Sequence, residues 1–244
     1  MSTVVSILDR DNRDDRTDNI GIVEPLKRRV LWIPRDLWCN TIKNRINRAF
    51  GRGGHKLLLS CLEEHKIKAE SSICFRRSAT IHCFRDLQVF VPIDEVMRFW
   101  YPLHPTKPIE EGRKPIVFSP PGELLSGERI HQWIGARISF DKGGSDLNRI
   151  ERQKTLLRCL LEQNFDFKKL IVDQEYFSIY GSNVFEDLKQ VGPDWKFETL
   201  GPLKHAKIGQ MLVVVKMSRI HPRAVIRKLL AHLKISPGKN FDKN

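Results

Sequence analysis

Residues 127–153 read GERIHQWIGARISFDKGGSDLNRIERQ, and the rest of the chain is best read outward from them. The periodicity predicts two helices, over 126–137 and 146–163, with Gly143-Gly144 in the loop between them. In the second helix Asp146, Arg149, Arg152 and Gln153 fall at i, i+3, i+6 and i+7. Those positions share one face roughly 120° wide. Guanidinium forks bind phosphate through paired hydrogen bonds that lysine cannot copy. The preceding loop adds free backbone N–H groups aimed at the same place. The stretch therefore predicts a phosphate or pyrophosphate site. The plainer reading is a solvated charged face beside the apolar stripe of Ile150, Leu157 and Leu161.

Strand-like segments surround this pair of helices. Thr3–Leu8, 20–23, 30–33, 73–75, 80–83, 87–91, 115–118, 169–172, 176–180 and 211–217 are short, apolar and often β-branched. Residues 51–54 form a glycine-rich turn ahead of a helix over 55–65, where Leu58, Cys61 and Leu62 keep helical spacing. Residues 101–114, with three prolines, read as a loop, and 222–233 as a basic helix. Strands and helices interleave throughout. This predicts the α/β class: a central mixed sheet sandwiched between helices in a single domain.

The chain has 244 residues and a formal charge of +13, enough length for a real core and enough charge to expect an anionic partner. Nucleic acid, phosphorylated lipid and an anionic membrane surface all qualify. The five cysteines are odd in number and include no C-x-x-C pair, so buried thiols are expected rather than disulfides or zinc. Cys74 with His82-Cys83 is the one cluster with metal-ligating residue types. No signal peptide or membrane-spanning segment is visible, which by sequence points to the cytoplasm. Patterns for metalloprotease, nucleophile-elbow and dinucleotide sites are missing. Glu63-Glu64-His65 reads as a solvated helix end, and Trp32, Trp38 and Trp133 as core, with the lining of an apolar cavity as the other reading.

Four blocks, in order, resemble the LytR-CpsA-Psr family of cell-wall glycopolymer transferases. Asp9-Arg10-Asp11 with Arg16-Thr17-Asp18-Asn19 is similar to D-x-R…R-[ST]-D-T. Leu31-Trp32-Ile33-Pro34-Arg35-Asp36 resembles S-I-P-R-D. Arg45-Ile46-Asn47-Arg48-Ala49-Phe50 with Gly53-Gly54 resembles K-I-N-x-A-[YF]…G-G. Leu125-Ser126-Gly127-Glu128, Arg137 and Asp146…Arg149…Arg152-Gln153 resemble L-D-G-E…R…D-x-x-R…R-Q. The likeness spans residues 9 to about 165. Residues 1–165 are thus the family-like part, and 166–244 a continuation of the same α/β domain without a family match. The first arginine of the family's R-x-R is Gly135 here, and its usual membrane-spanning start is missing, although the family is extracytoplasmic and membrane-anchored.

The resemblance implies a greasy cavity for a polyprenyl chain, with the pyrophosphate at its mouth. It implies pyrophosphate contacts from Arg16, Arg35, Arg137, Arg149, Arg152 and Gln153. Arg35, Asp146 and Arg149 then carry catalysis. Asp9, Asp11 and Asp18 would hold Mg²⁺, a hard cation that prefers carboxylate oxygen. The implied reaction moves a polyprenyl-linked glycopolymer onto peptidoglycan or another polysaccharide acceptor, or hydrolyses the pyrophosphate. Two alternatives stand beside it: a non-catalytic binder of a polyprenyl phosphate or other polyanion, and a nucleic-acid-binding protein using the basic C-terminal helix.

Overall fold

The computed structural model describes residues 2–8, 16–76, 85–102, 112–136, 138–140, 146–165 and 176–216. In chain order these form β1 (Thr3–Leu8), β2 (Thr17–Glu24), β3 (Arg29–Trp32), β4 (Trp38–Cys39), β5 (Asn44–Arg45) and α1 (Ala49–Glu64). Then come β6 (Ser71–Phe75), β7 (Gln88–Pro92), β8 (Met97–Pro102), β9 (Arg113–Phe118), β10 (Gly122–Ser126), α2 (Glu128–Gly135) and β11 (Ile138–Ser139). The chain continues through α3 (Asp146–Glu162), β12 (Phe177–Tyr180), α4 (Val184–Lys189), β13 (Lys196–Thr199), β14 (Leu203–Ile208) and β15 (Met211–Lys216).

The central sheet has the order β12-β6-β1-β2-β3-β13. It is mixed: β1 runs antiparallel to β2 and parallel to β6, and β13 runs parallel to β3. Both faces of such a sheet must be covered, so its inner strands are apolar almost throughout. On one face Val4, Ile20 and Ile22 pack against Leu58, Cys61 and Leu62 of α1. On the other, Val23, Val30 and Trp32 meet Ile150 and Leu161 of α3, while Ile73 and Phe75 meet Val184 of α4. This is the expected mixed sheet between helices.

A second, smaller β layer lies beyond α3. It holds the hairpin β7–β10 and the antiparallel sheet β11-β8-β9. Leu156, Cys159 and Leu160 of α3 pack there with Phe99, Phe118 and Trp133. So α3 is apolar on two sides, not along the single stripe that its spacing suggested. A helix between two layers is under that constraint.

Several boundaries differ from expectation. The α1 region starts at Ala49, and the glycine turn lies inside it as a kink at Gly53 and Gly54. Gly54 has φ +60°, ψ −152°, a conformation that side chains rarely accept. Residues 97–102 and 113–118 are strands, so the proline-rich loop is shorter than 101–114. β10, α4, β13 and β14 were not anticipated. The expected strands at 80–83 and 169–172 and the helix at 222–233 lie outside the described residues. Cys39, Cys61, Cys74 and Cys159 are buried free thiols. No helix among the described residues is long and apolar enough to cross a membrane.

Candidate functional site

The site begins where β3 ends. Proline has no N–H to continue a ladder, so the chain leaves the sheet at Pro34. Ile33 still donates to the Ile20 carbonyl (2.9 Å), and Leu37 N–H closes a turn on the Pro34 carbonyl (3.0 Å). The turn delivers Arg35 to Asp18, near the start of β2. Asp18 takes Arg35 Nη1 on one oxygen and faces Arg149 Nη1 at 2.6 Å with the other. Arg149 Nη2 donates to the Asp18 carbonyl (2.7 Å) and to Asp146 Oδ1 (2.6 Å). Asp146 Oδ2 accepts the backbone N–H of Arg35 at 3.3 Å. The ring Arg35–Asp18–Arg149–Asp146 is thereby closed.

Arg35 is 5% exposed and Arg149 1%. Two guanidiniums face two carboxylates, so the buried ring is formally neutral within a protein of charge +13. Pairing of this kind is what permits charges to be buried at all. Arg149 Nε is among the buried donors without a hydrogen-bond partner among the described residues. Leaving such a group unmade costs about 1–3 kcal/mol, which an arriving anion would offset.

Further backbone bonds hold the turn. Asn47 N–H donates to the Arg35 carbonyl (3.2 Å) and Ile46 N–H to the Leu37 carbonyl (2.7 Å). Arg45 Nη1 lies 3.4 Å from Asp36 Oδ1. Asn47 is 2% exposed, and its Oδ1 is also buried without a hydrogen-bond partner among the described residues. Asn47, Arg45 and Asp36 were not chosen as site residues from the sequence. The signal was present, since all three lie within the family-like blocks.

Arg152 and Gln153 do not join the ring. Arg152 donates from Nε to the Trp133 carbonyl (3.0 Å) and from Nη2 to the Ala136 carbonyl, and its guanidinium sits 4.4 Å from the Phe99 ring centre. Gln153 Nε2 donates to the Ile134 carbonyl at 3.0 Å. These bonds cap the C-terminal end of α2, whose last carbonyls have no helical partner. The shared arc of α3 is divided: its Asp146–Arg149 part faces the sheet end, and its Arg152–Gln153 part faces α2. Burial, then the neighbouring charge of Arg149, pushes the Arg152 pKa down to about 10, which leaves it protonated at neutral pH.

Arg16 is half-buried at the entry to β2. Arg137, Asp9, Asp11, the Gly143-Gly144 loop, His82 and Cys83 lie outside the described residues. Among the described residues no three acids, histidines or cysteines are grouped to hold a metal ion. Both side-chain oxygens of Asp18 are engaged by arginine. The described acids therefore do not fit a magnesium site by themselves.

Beside the ring, between the sheet and α3 and α4, lies an apolar cavity of about 160 Å³. Its walls include Ile7, Val30, Trp32, Leu157, Leu188 and Val191, and Asn19 next to Asp18 also lines it. Trp32 thus serves as cavity wall as well as core. A dry cavity of about 150 Å³ takes up a benzene ring. At this volume the cavity admits a short run of hydrocarbon, and a longer one has to spread the walls.

Fold and site define a layered α/β protein with an arginine–carboxylate ring at one end of the central sheet and an apolar cavity between that sheet and its helices. That fold is shared with several solved structures. The chain is similar to Bacillus subtilis TagV, with TM-score 0.62 and 16% identity over 97% of this chain and 98% of that one. It is similar to gbs0355 from Streptococcus agalactiae, with TM-score 0.64 and 14% identity over 99% and 90% of the two chains. It is also similar to TagT bound to LI-WTA, with TM-score 0.63 and 16% identity over 96% and 90%. No family model matches the sequence, and no curated protein matches it. The structural likeness runs well past residue 165, where the sequence blocks stop.

Proposed function

We propose that this protein is a phosphotransferase that moves a polyprenyl-pyrophosphate-linked glycopolymer onto a hydroxyl of a cell-wall or other polysaccharide. The observation that carries this reading is the Arg35–Asp18–Arg149–Asp146 ring beside an apolar cavity, with Arg149 Nε buried and unspent. The likeness to TagT bound to LI-WTA supports the substrate class. Phosphoryl transfer asks mainly for positioning and charge neutralisation. In this reading Arg35 and Arg149 hold phosphate oxygens, taking them in place of Asp18, while the polyprenyl chain enters the slot. The acceptor oxygen forms a bond to phosphorus as the bond to the lipid phosphate breaks, and the hydroxyl proton passes to the departing lipid phosphate. Both oxygens of Asp146 are engaged, by Arg149 and by the Arg35 N–H, so Asp146 orients these groups.

Differential scanning fluorimetry tests the binding half. Farnesyl pyrophosphate at about 100 times its Kd should stabilise the folded state by about 2.7 kcal/mol through mass action. Inorganic pyrophosphate should protect less, and farnesol least. No protection by farnesyl pyrophosphate would sink the reading. Arg35→Ala should lower turnover of a lipid-linked glycan about 10²–10³-fold, the cost of removing one oxyanion donor. A binder without turnover is the second reading, favoured by Gly135 at a position where the family motif carries arginine. Protection without any release of lipid phosphate would select it.

A further inference from the structure

We infer that Ser178, His55 and Ser72 form a second reactive site, a serine nucleophile with its base, that cleaves acyl esters. His55 Nε2 lies 2.9 Å from Ser178 Oγ, and His55 Nδ1 lies 2.9 Å from Ser72 Oγ. Nucleophilic catalysis asks for this reach between a hydroxyl, its base and the group that orients the base. Ser178 is exposed, whereas Ser72 is fully buried. One end of the hydrogen-bonded chain therefore faces solvent, and the other is fixed in the core. Such constellations are defined by geometry and role, not by order in the chain. The sheet order β12-β6-β1-β2 sets Ser178 three strands from Asp18, about 14 Å at ordinary strand spacing. Helix α1, which carries His55, covers the sheet face opposite the apolar cavity. The site shares no residue with the arginine–carboxylate ring and is independent of it.

The imidazole is held on several sides. Phe50 meets its edge at 5.0 Å, and Tyr180 stacks on it at 6.2 Å. The kink of α1 at Gly53 and Gly54 falls immediately before it. A Cβ at Gly54 would meet nothing within 4 Å, so it is the φ of +60° and not packing that calls for glycine there. Backbone in sparsely populated regions gathers at functional sites. Burial pushes the His55 pKa down, so at neutral pH the ring holds one proton and one lone pair. We assign the proton to Nδ1, donated to Ser72 Oγ, which leaves Nε2 to accept the Ser178 hydroxyl proton. Ser178 Oγ then bonds to the ester carbonyl carbon as its proton passes to Nε2. The bond from that carbon to the alcohol oxygen breaks, and the alcohol leaves with the proton. Water releases the acid from Ser178 by the same exchange. Tyr180, 38% exposed and two residues from Ser178, offers the acyl group an aromatic surface, with Lys56 Nζ 6.0 Å from its ring centre.

Two assays on the full chain test the site: labelling by a fluorophosphonate probe with peptide mass mapping, and hydrolysis of p-nitrophenyl acetate. The probe should modify Ser178, and Ser178→Ala should lose both label and hydrolysis. His55→Gln, which keeps hydrogen-bonding capacity, should lower kcat about 10²-fold or more, the contribution of a general base. Ser72→Ala should lower kcat and leave KM unchanged, as expected of a residue that only orients the base. Circular dichroism and urea midpoints check that each variant is folded. Folded wild type that takes no label at Ser178 would overturn the inference. So would hydrolysis that survives Ser178→Ala or His55→Gln, since His55 would then only fasten β6 and β12 to α1.

Discussion

Arg149 shows most clearly how one side chain ties distant parts of the chain together. From a position 1% exposed it reaches the Asp18 carbonyl, the Asp18 carboxylate and Asp146. Arg149→Ala would leave Asp146 without its guanidinium and Asp18 with Arg35 alone, and breaking a buried pair typically costs about 3–5 kcal/mol. We expect urea unfolding to show a loss of about that size. Arg149→Lys should recover part of it, because one ammonium keeps the charge but cannot serve three acceptors as a planar fork does. An unchanged midpoint for Arg149→Ala would show that the ring contributes no stability.

Glu64 is the second residue whose role emerges only in three dimensions. Its carboxylate accepts from Asn40 N–H (2.8 Å), Thr41 N–H (3.0 Å) and Thr41 Oγ1 (3.0 Å), and clamps the turn after β4. Burial pushes this carboxyl up, but the Asn40 and Thr41 N–H groups outweigh it and hold the pKa below the ordinary value. Burial pushes the neighbouring His65 down, and likewise His55, which lies between Ser72 Oγ and Ser178 Oγ at 2.9 Å each. All three groups hold a proton less readily folded than unfolded. Their contributions are fully present above about pH 6.5 for the histidines and about 4.5 for Glu64, and are lost as pH falls below those values. Thermal midpoints from pH 8 to about pH 3 should therefore fall in two stages, and Glu64→Gln should diminish the lower one. The sequence reading placed Glu64 and His65 at a solvated helix end; both are instead fastened to the 38–41 turn, His65 through the Trp38 carbonyl at 3.0 Å.

At the scale of elements, α3 organises the molecule. It touches the central sheet with one side and the smaller β layer with the other, and Arg152 and Trp133 exchange bonds across the α2–α3 seam. Arg152→Ala strands the Trp133 and Ala136 carbonyls and should cost about 2–4 kcal/mol, the range of a broken buried network. Pyrophosphate protection should change little, because Arg152 stands outside the ring. A variant with native stability and abolished pyrophosphate protection would move Arg152 back among the ligand contacts. The β7–β10 hairpin is similarly fixed by one close approach. A Cβ at Gly122 would lie 2.8 Å from the Val91 carbonyl oxygen and 2.4 Å from Phe90 Cζ, so Gly122→Ala should destabilise the hairpin by about 1–3 kcal/mol in the same unfolding assay.

For the whole molecule, the cavity and the ring must be separable if the slot serves the lipid chain and the ring its phosphate. Leu157→Trp directs added bulk into the slot of about 160 Å³ without touching the ring. The variant should fold, lose the extra protection that farnesyl pyrophosphate gives over inorganic pyrophosphate, and keep the rest. Equal protection by both ligands in the wild type would detach the slot from ligand binding. The same separation explains how legible the fold was. Strands β1, β2, β3 and β6 are legible as short apolar, often β-branched runs, and helix α3 by its helical spacing, although its burial is two-sided. β14, whose residues are mostly exposed, and the short α4 carry no such pattern. β8 is hard to read because Arg98 interrupts its apolar residues and its last two residues open the proline-rich stretch.

Asp18, Arg35, Asp146 and Arg149 could each be named from local motifs, because proline ends a strand and helical spacing sets a face whatever surrounds them. Which of the residues on that face turn inward to the ring, and which turn aside to cap α2, depended on what lay opposite each of them. A helix of fixed pitch presents its arc to whichever neighbours the chain supplies, and unpaired carbonyls at the end of α2 compete with the ring for the same guanidiniums. That competition, together with the slot between sheet and helices, exists only once segments more than a hundred residues apart are packed together.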